Sequence, residues 1–187
     1  MVFFPLISAF VITLIPKAQE QLIKRFALAS SLITFVLSAI LLFQFDFSSA
    51  EKLQLGNKIS WIKSINANYE IGIDGISLPL LVLSTFITVL AIIYSLEHLP
   101  EPKSPKGFLA LILVLETGMN GTFVALDLIL FFVFFEIVLL PMYFMIGIWG
   151  DKTVRTVSGF KNQIETRLYA SIKSVSYTHL TLPTNSN

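Results

Sequence analysis

The chain has 187 residues, 55% of them hydrophobic and only 13% charged, with a net charge of +1 and a mean hydropathy of +0.78. That balance excludes an ordinary soluble globular domain, and without a dominant basic patch it gives no reason to expect nucleic acid as a partner. The absence of cysteine excludes disulfides, thiolate metal sites and iron–sulfur ligation in this chain.

A spanning helix takes about 20 apolar residues at about 1.5 Å each, so the expected fold is an all-α membrane protein, a polytopic bundle of about five transmembrane helices. The first is predicted over residues 2–15 and stops at Pro16. No Lys or Arg precedes it, so it lacks the basic start of a secretory signal and reads as a membrane helix. The second is predicted over 26–45, followed by a loop over 46–72. That loop contains "LQLGNKISWI", two short alternating runs joined by Gly56 and Asn57, the pattern of a hairpin with a two-residue turn. The third helix is predicted over 76–96, with Asp74 placed to cap it.

From Phe108 to Trp149 the apolar run would measure about 63 Å as one helix, twice the hydrocarbon thickness, so it must fold back. Asp127 is the natural turning point, giving helices over 108–125 and 128–149. After the linker 151–166, "RLYASIK" begins a further helix, whereas 174–187, "SVSYTHLTLPTNSN", is polar, lacks helical periodicity and reads as a non-native tail.

If the helices alternate in direction, Lys17, Lys24, Arg25, Lys103, Lys106, Lys152, Arg155, Lys161, Arg167 and Lys173 share one side, and only Lys52, Lys58 and Lys63 the other. Cytoplasmic loops carry the excess of Lys and Arg. The N-terminus and the 46–72 loop are therefore expected outside, in a multi-pass protein of the bacterial plasma membrane.

Three residues stand out chemically. Glu136 lies near the middle of the fifth helix, where a charge costs roughly 2.5–3.5 kcal/mol on insertion scales. A carboxyl group held there either exchanges protons when a cation or water approaches or fixes helix packing by a hydrogen bond. Pro141 has no N–H to give the Ile137 carbonyl, which predicts a break in the helix beside Glu136. Glu116, in "LETGMNG", either supports Glu136 or is satisfied locally beside the close contacts that Gly118 and Gly121 permit. Asp74 and Asp127 fit helix caps, and His98 a solvated loop. No phosphate-binding loop, nucleophile elbow or dinucleotide fingerprint is present.

"YEIGIDGISLPLLVLSTF" (69–86) and "LETGMNGTFVALDLILFFVFFEIVLLPMYFMIGIWG" (115–150) closely resemble the antiporter-like subunit M, or chain 4, family of proton-pumping NADH-quinone oxidoreductase, respiratory complex I. The resemblance covers about residues 1–173. It implies the N-terminal part of a larger bundle built on inverted repeats, with other membrane-arm subunits and the lipid bilayer as partners. It also implies that Glu136 pairs with a lysine on a later helix, in an ion pair whose strength changes during turnover and drives protons along buried lysines, histidines and waters. NADH, FMN, iron–sulfur clusters and quinone would be bound by partner subunits, with no cofactor in this chain. The alternatives are a subunit of a multisubunit sodium/proton antiporter and a structural membrane scaffold.

Overall fold

The computed structural model describes residues 1–49, 52–62, 67–99, 104–150, 154–155 and 164–180. Lys63, Lys103, Lys152, Lys161 and the end of the tail, 181–187, lie outside the described residues.

Among the described residues, six α-helices carry the fold. α1 is Phe4–Leu14, α2 Glu20–Gln44, α3 Ser77–Glu97, α4 Pro105–Val124, α5 Leu128–Trp149 and α6 Thr166–Leu180. The protein is an all-α transmembrane bundle: α2, α3, α4 and α5 are each long and apolar enough to cross a membrane. α1 starts with Pro5 in its first turn and ends at Ile15, whose extended backbone (ψ 132°) is what the following proline imposes. α2 begins at Glu20, six residues before the predicted start, because Gln21, Lys24 and Arg25 continue its helix while Ile23 and Ala27 stay buried. α6 runs through Ser174 to Leu180, so the start of the tail is helical, contrary to the expected loss of periodicity at Lys173. Lys173 therefore stands inside a helix, about 10 Å from its start, with its Nζ 5.4 Å from the Tyr169 ring centre.

α4 is the central helix, packed against α1, α2, α3 and α5. The buried faces are not those of a soluble bundle. α2 turns Ser30, Ser31, Thr34 and Ser38 inward and leaves Ile33, Val36, Ile40 and Phe43 outward. Hydrocarbon gives aliphatic side chains no reason to hide, so small and hydroxyl residues take the helix contacts. Most buried hydroxyls satisfy themselves on their own helices, as Thr34 donates to Ser30 O at 3.1 Å and Thr88 to Ser84 O at 3.0 Å. α2 and α3 are joined by Ser38 Oγ and Thr85 Oγ1, 2.8 Å apart.

At one end of the bundle, basic side chains cap the carbonyl ends of helices that are not their own. Lys106 Nζ donates to Ile15 O at the end of α1 (2.7 Å), Lys24 Nζ to Leu96 O near the end of α3 (3.2 Å), and Arg167 Nη1 to Ile148 O near the end of α5 (3.2 Å). A cation meets both free carbonyls and the negative end of the helix dipole there. The alternation of helix direction puts all three ends on one face, and the basic residues follow them. Lys106→Met in the full-length protein should lower its stability by about 1 kcal/mol, seen as a lower midpoint of thermal inactivation. Lys106→Arg should keep the midpoint, and an unchanged Lys106→Met would show that the cap contributes nothing.

At the opposite face, β1 (Gln54–Ile62) and β2 (Ala67–Ile73) pair antiparallel. The hairpin expected within "LQLGNKISWI" is not formed: the stretch is the single strand β1, its partner is β2, and Gly56 and Asn57 are not a turn. They lie inside β1, where Leu55 and Gly56 together oppose Gly72, between the pairs Gln54↔Ile73 and Asn57↔Ile71. This bulge absorbs the extra residue: Leu55 takes a left-handed φ of 53°, and a Cβ on Gly56 would stand 3.2 Å from Ile71 O. The connection between the strands lies in 63–66, outside the described residues.

Two aspartates fasten helix starts at this end. Asp74 Oδ1 accepts from the Ile76 and Ser77 amides at 2.9 and 2.7 Å, and the Asp74 amide donates back to Ser77 Oγ at 2.9 Å. Asp127 Oδ1 accepts from Ile129 and Leu130 N–H at 2.9 and 3.2 Å, and its Oδ2 accepts from the Asn68 amide of β2 at 3.0 Å. With Leu126 N–H donating to Glu70 O at 2.9 Å, these bonds tie the hairpin to the α4–α5 turn. The Asn68 amide, then those of Leu130 and Ile129, hold the Asp127 carboxyl below its ordinary value of 3.8. A depressed carboxyl contributes stability above the unfolded value and loses it as pH falls through the folded one. Hydrogen exchange at Asn68, corrected for its intrinsic rate, should therefore accelerate only below about pH 4. Asp127→Asn should remove that dependence; if protection is lost well above pH 4, the contact does not hold the hairpin.

Candidate functional site

Glu136 is the ninth residue of α5, about 12 Å along a helix of about 33 Å. The helix forms because its apolar run is capped by Asp127 at the start and ended at Gly150. Pro141 does not break it. α5 is continuous across Pro141, which is buried and held by neighbouring helices; proline removes one amide, leaving the Ile137 carbonyl without its usual donor, and the expected break is not seen.

The helical period decides which side Glu136 serves. Leu139, Leu140 and Tyr143, at i+3, i+4 and i+7, share its face, and together with Ile172, Val175 and Ser176 of α6 they line a cavity of about 380 Å³. The residues at i−2 and i+2, Phe134 and Val138, lie on the opposite side and meet α4. A Cβ on Gly118 would come within 2.7 Å of Val138 Cγ2 and 3.2 Å of Phe134 O, and one on Gly121 would overlap the Phe134 ring. The α4–α5 contact is thus backbone-close, as expected from Gly118 and Gly121.

The same geometry separates the two candidate carboxyl groups. Glu116 is on the central helix, 0% exposed, while Glu136 turns away from α4 toward α6. They do not form one site. Nor is Glu116 satisfied locally: neither of its carboxyl oxygens has a hydrogen-bond partner among the described residues, and the same holds for the side-chain N and O of Asn120 one turn on. Asn120 carried no signal in sequence beyond its place four residues from Glu116. Val175 and Ser176 were missed because the segment containing them was read as a tail. His98 stacks on Tyr94, ring centres 4.8 Å apart, and among the described residues no three His, Asp or Glu cluster to hold a metal.

Family comparison follows this architecture closely. The amino-terminal profile of NADH-ubiquinone oxidoreductase chain 4 matches residues 1–122, and the transmembrane profile shared by NADH:quinone oxidoreductase and Mrp antiporters matches 125–177. The chain belongs to the chain 4 family of NADH-quinone oxidoreductase. Chain 4 relatives include an NAD(P)H-quinone oxidoreductase chain 4 of Picosynechococcus sp., 38% identical over 95% of this chain and 30% of its own. One from Gloeobacter violaceus is 36% identical with the same coverage. The NADH-ubiquinone oxidoreductase chain 4 of Chondrus crispus is 38% identical over 79% of this chain and 30% of its own. The chain therefore spans about a third of the length of these relatives. Its fold is also that of part of the membrane-bound sulfane sulfur reductase, an archaeal respiratory membrane complex, with TM-score 0.66 at 20% identity over 93% of this chain and 32% of that one. The shared transmembrane profile runs to residue 177, past Lys173 and across the α6 residues that line the Glu136 cavity.

Proposed function

We propose that the full-length protein is a proton-translocating membrane subunit of an NADH-quinone oxidoreductase, coupling quinone reduction in partner subunits to proton movement, and that Glu136 is its proton-exchanging group in this part of the chain. The single observation that carries this reading is the placement of Glu136: a carboxyl group near the middle of a spanning helix, turned not toward the bundle core but into the cavity between α5 and α6. A packing residue would be spent on the α4 contact, which Phe134, Val138, Gly118 and Gly121 already make without it. A scaffold has no use for a carboxyl there. The cavity accommodates a basic group from the downstream two thirds of the protein, and the Ile137 carbonyl left by Pro141 offers a polar contact one residue away. Glu116 faces elsewhere and supports this traffic only indirectly, by keeping the centre of α4 polar.

In this reading the redox groups, NADH, FMN, iron–sulfur clusters and quinone, sit in partner subunits, and the neighbouring membrane-arm subunits and lipid cover the exposed apolar faces. The basic face of Lys24, Lys106 and Arg167 is cytoplasmic and the hairpin lies outside a bacterial plasma membrane. The sodium/proton antiporter reading shares the same transmembrane profile; the amino-terminal chain 4 match favours the oxidoreductase. We also propose that the native sequence departs into foreign sequence within 174–187, which an independent read of the same gene tests. The reading of Glu136 is tested by proton pumping in the Glu136→Gln complex, whose expected result is given below.

A further inference from the structure

The bundle is layered. One apolar cluster joins Ile23 and Ala27 of α2, Ile92 of α3 and Leu109 and Leu113 of α4; a second, at the hairpin end, joins Phe45, Leu78, Leu81 and Val124. Between them the inward faces turn polar: Thr34 and Ser38 on α2, Ser84, Thr85 and Thr88 on α3, and Glu116, Thr117 and Asn120 on α4 are buried, and the 2.8 Å contact of Ser38 Oγ with Thr85 Oγ1 sets the level of α2 against α3. Ser30, eight residues before Ser38, lies about 12 Å from that level, toward the first cluster.

Most hydroxyls in this layer are bonded to their own helix. Ser84 Oγ instead donates to Met119 Sδ of α4 at 3.8 Å, and three residues have no partner. Both oxygens of Glu116, both polar atoms of the Asn120 side chain and Ser30 Oγ are buried without a hydrogen-bond partner among the described residues, and Glu116 and Asn120 are each 0% exposed. An unsatisfied buried polar atom costs about 1–3 kcal/mol, more if charged. Two such side chains one turn apart on the central helix are too costly to be left that way. α4 is enclosed by α1, α2, α3 and α5, so a satisfying group must be small. Buried water is the usual solution where two to four polar atoms converge.

We propose that Glu116 and Asn120 form an internal water-binding node on the inward side of α4, separate from the Glu136 cavity. Water there bridges the carboxyl and carboxamide groups of α4.

The test is a cryo-electron microscopy map of the assembled full-length complex at a resolution that shows ordered water. Density is expected about 2.7–3.2 Å from both a Glu116 carboxyl oxygen and the Asn120 side chain. It should persist in Glu116→Gln, which keeps the polar shape, and be lost in Asn120→Leu. It should also be unchanged in Glu136→Gln, so this node and the proton-exchange reading of Glu136 can fail independently. The proposal is overturned if Glu116 and Asn120 bond directly to each other or to downstream protein, if a metal cation occupies the position, or if the density survives Asn120→Leu.

Discussion

Glu136→Gln in the full-length protein is expected to leave the complex assembled and to cut proton pumping at least about ten-fold, with coupled quinone reductase activity falling in parallel. Proton transfer by a positioned side chain contributes roughly 10²–10⁴-fold, so the expected loss is a lower bound. Glutamine has the same shape and hydrogen-bonds, so the walls that Leu139, Leu140, Tyr143 and α6 build around this position should hold. What it lacks is a proton to release and a charge to pair. Assembly is judged by the amount of intact complex on a native gel and pumping by acidification of closed vesicles on NADH addition. Intact complex with normal pumping would reduce Glu136 to a packing residue and favour the scaffold reading.

The second large effect belongs to the α4–α5 seam. Gly121→Ala should destabilise the full-length protein by about 1–3 kcal/mol, the usual cost of overpacking, because the new methyl group overlaps the Phe134 ring. That ring is 2% exposed and packs on Phe3 with centres 5.9 Å apart, so displacing it costs those contacts. Truncating it should restore much of the loss: Gly121→Ala with Phe134→Leu should be more stable than Gly121→Ala alone. Gly118→Ala should behave differently, because a Cβ there meets backbone as well, Val138 N at 3.0 Å and Phe134 O at 3.2 Å. No side-chain change removes a backbone clash, so Val138→Ala should rescue it only in part. Thermal inactivation of the two single and two double variants decides the point, and full rescue at both glycines would show that the helices are not in backbone contact.

Helix count and direction were legible in the sequence because hydrocarbon imposes long apolar runs, and because Pro16 and Asp127 mark a stop and a turn that the chain obeys. The hairpin was misread: the two runs expected to pair are one strand, β1, and its partner β2 carried no signal. Gly56 and Asn57 look like a turn from local pattern alone, and only the pairing with Gly72 shows that the glycine serves a bulge. Pro141 misled in the other direction, since its missing amide is a local fact while the continuity of α5 depends on what packs around it. Glu136 could be located at mid-helix from sequence, but its direction could not, because a helix that is apolar all round has no inner face to read. The direction emerged from Gly118 and Gly121, which draw Phe134 and Val138 to α4 and so leave Glu136 to α6. The polar middle layer was invisible for a similar reason: single serines and threonines scattered through three helices become a layer only when those helices are brought into register.

Whether the proton occupancy of Glu136 changes in turnover can be read most directly by infrared difference spectroscopy of the assembled complex, recorded as NADH is added in closed vesicles. The expected result is a carboxyl band that appears or disappears with turnover and is absent from the Glu136→Gln complex. An identical carboxyl spectrum in the two complexes would mean that this group holds its proton state throughout the cycle, contradicting the role assigned to it.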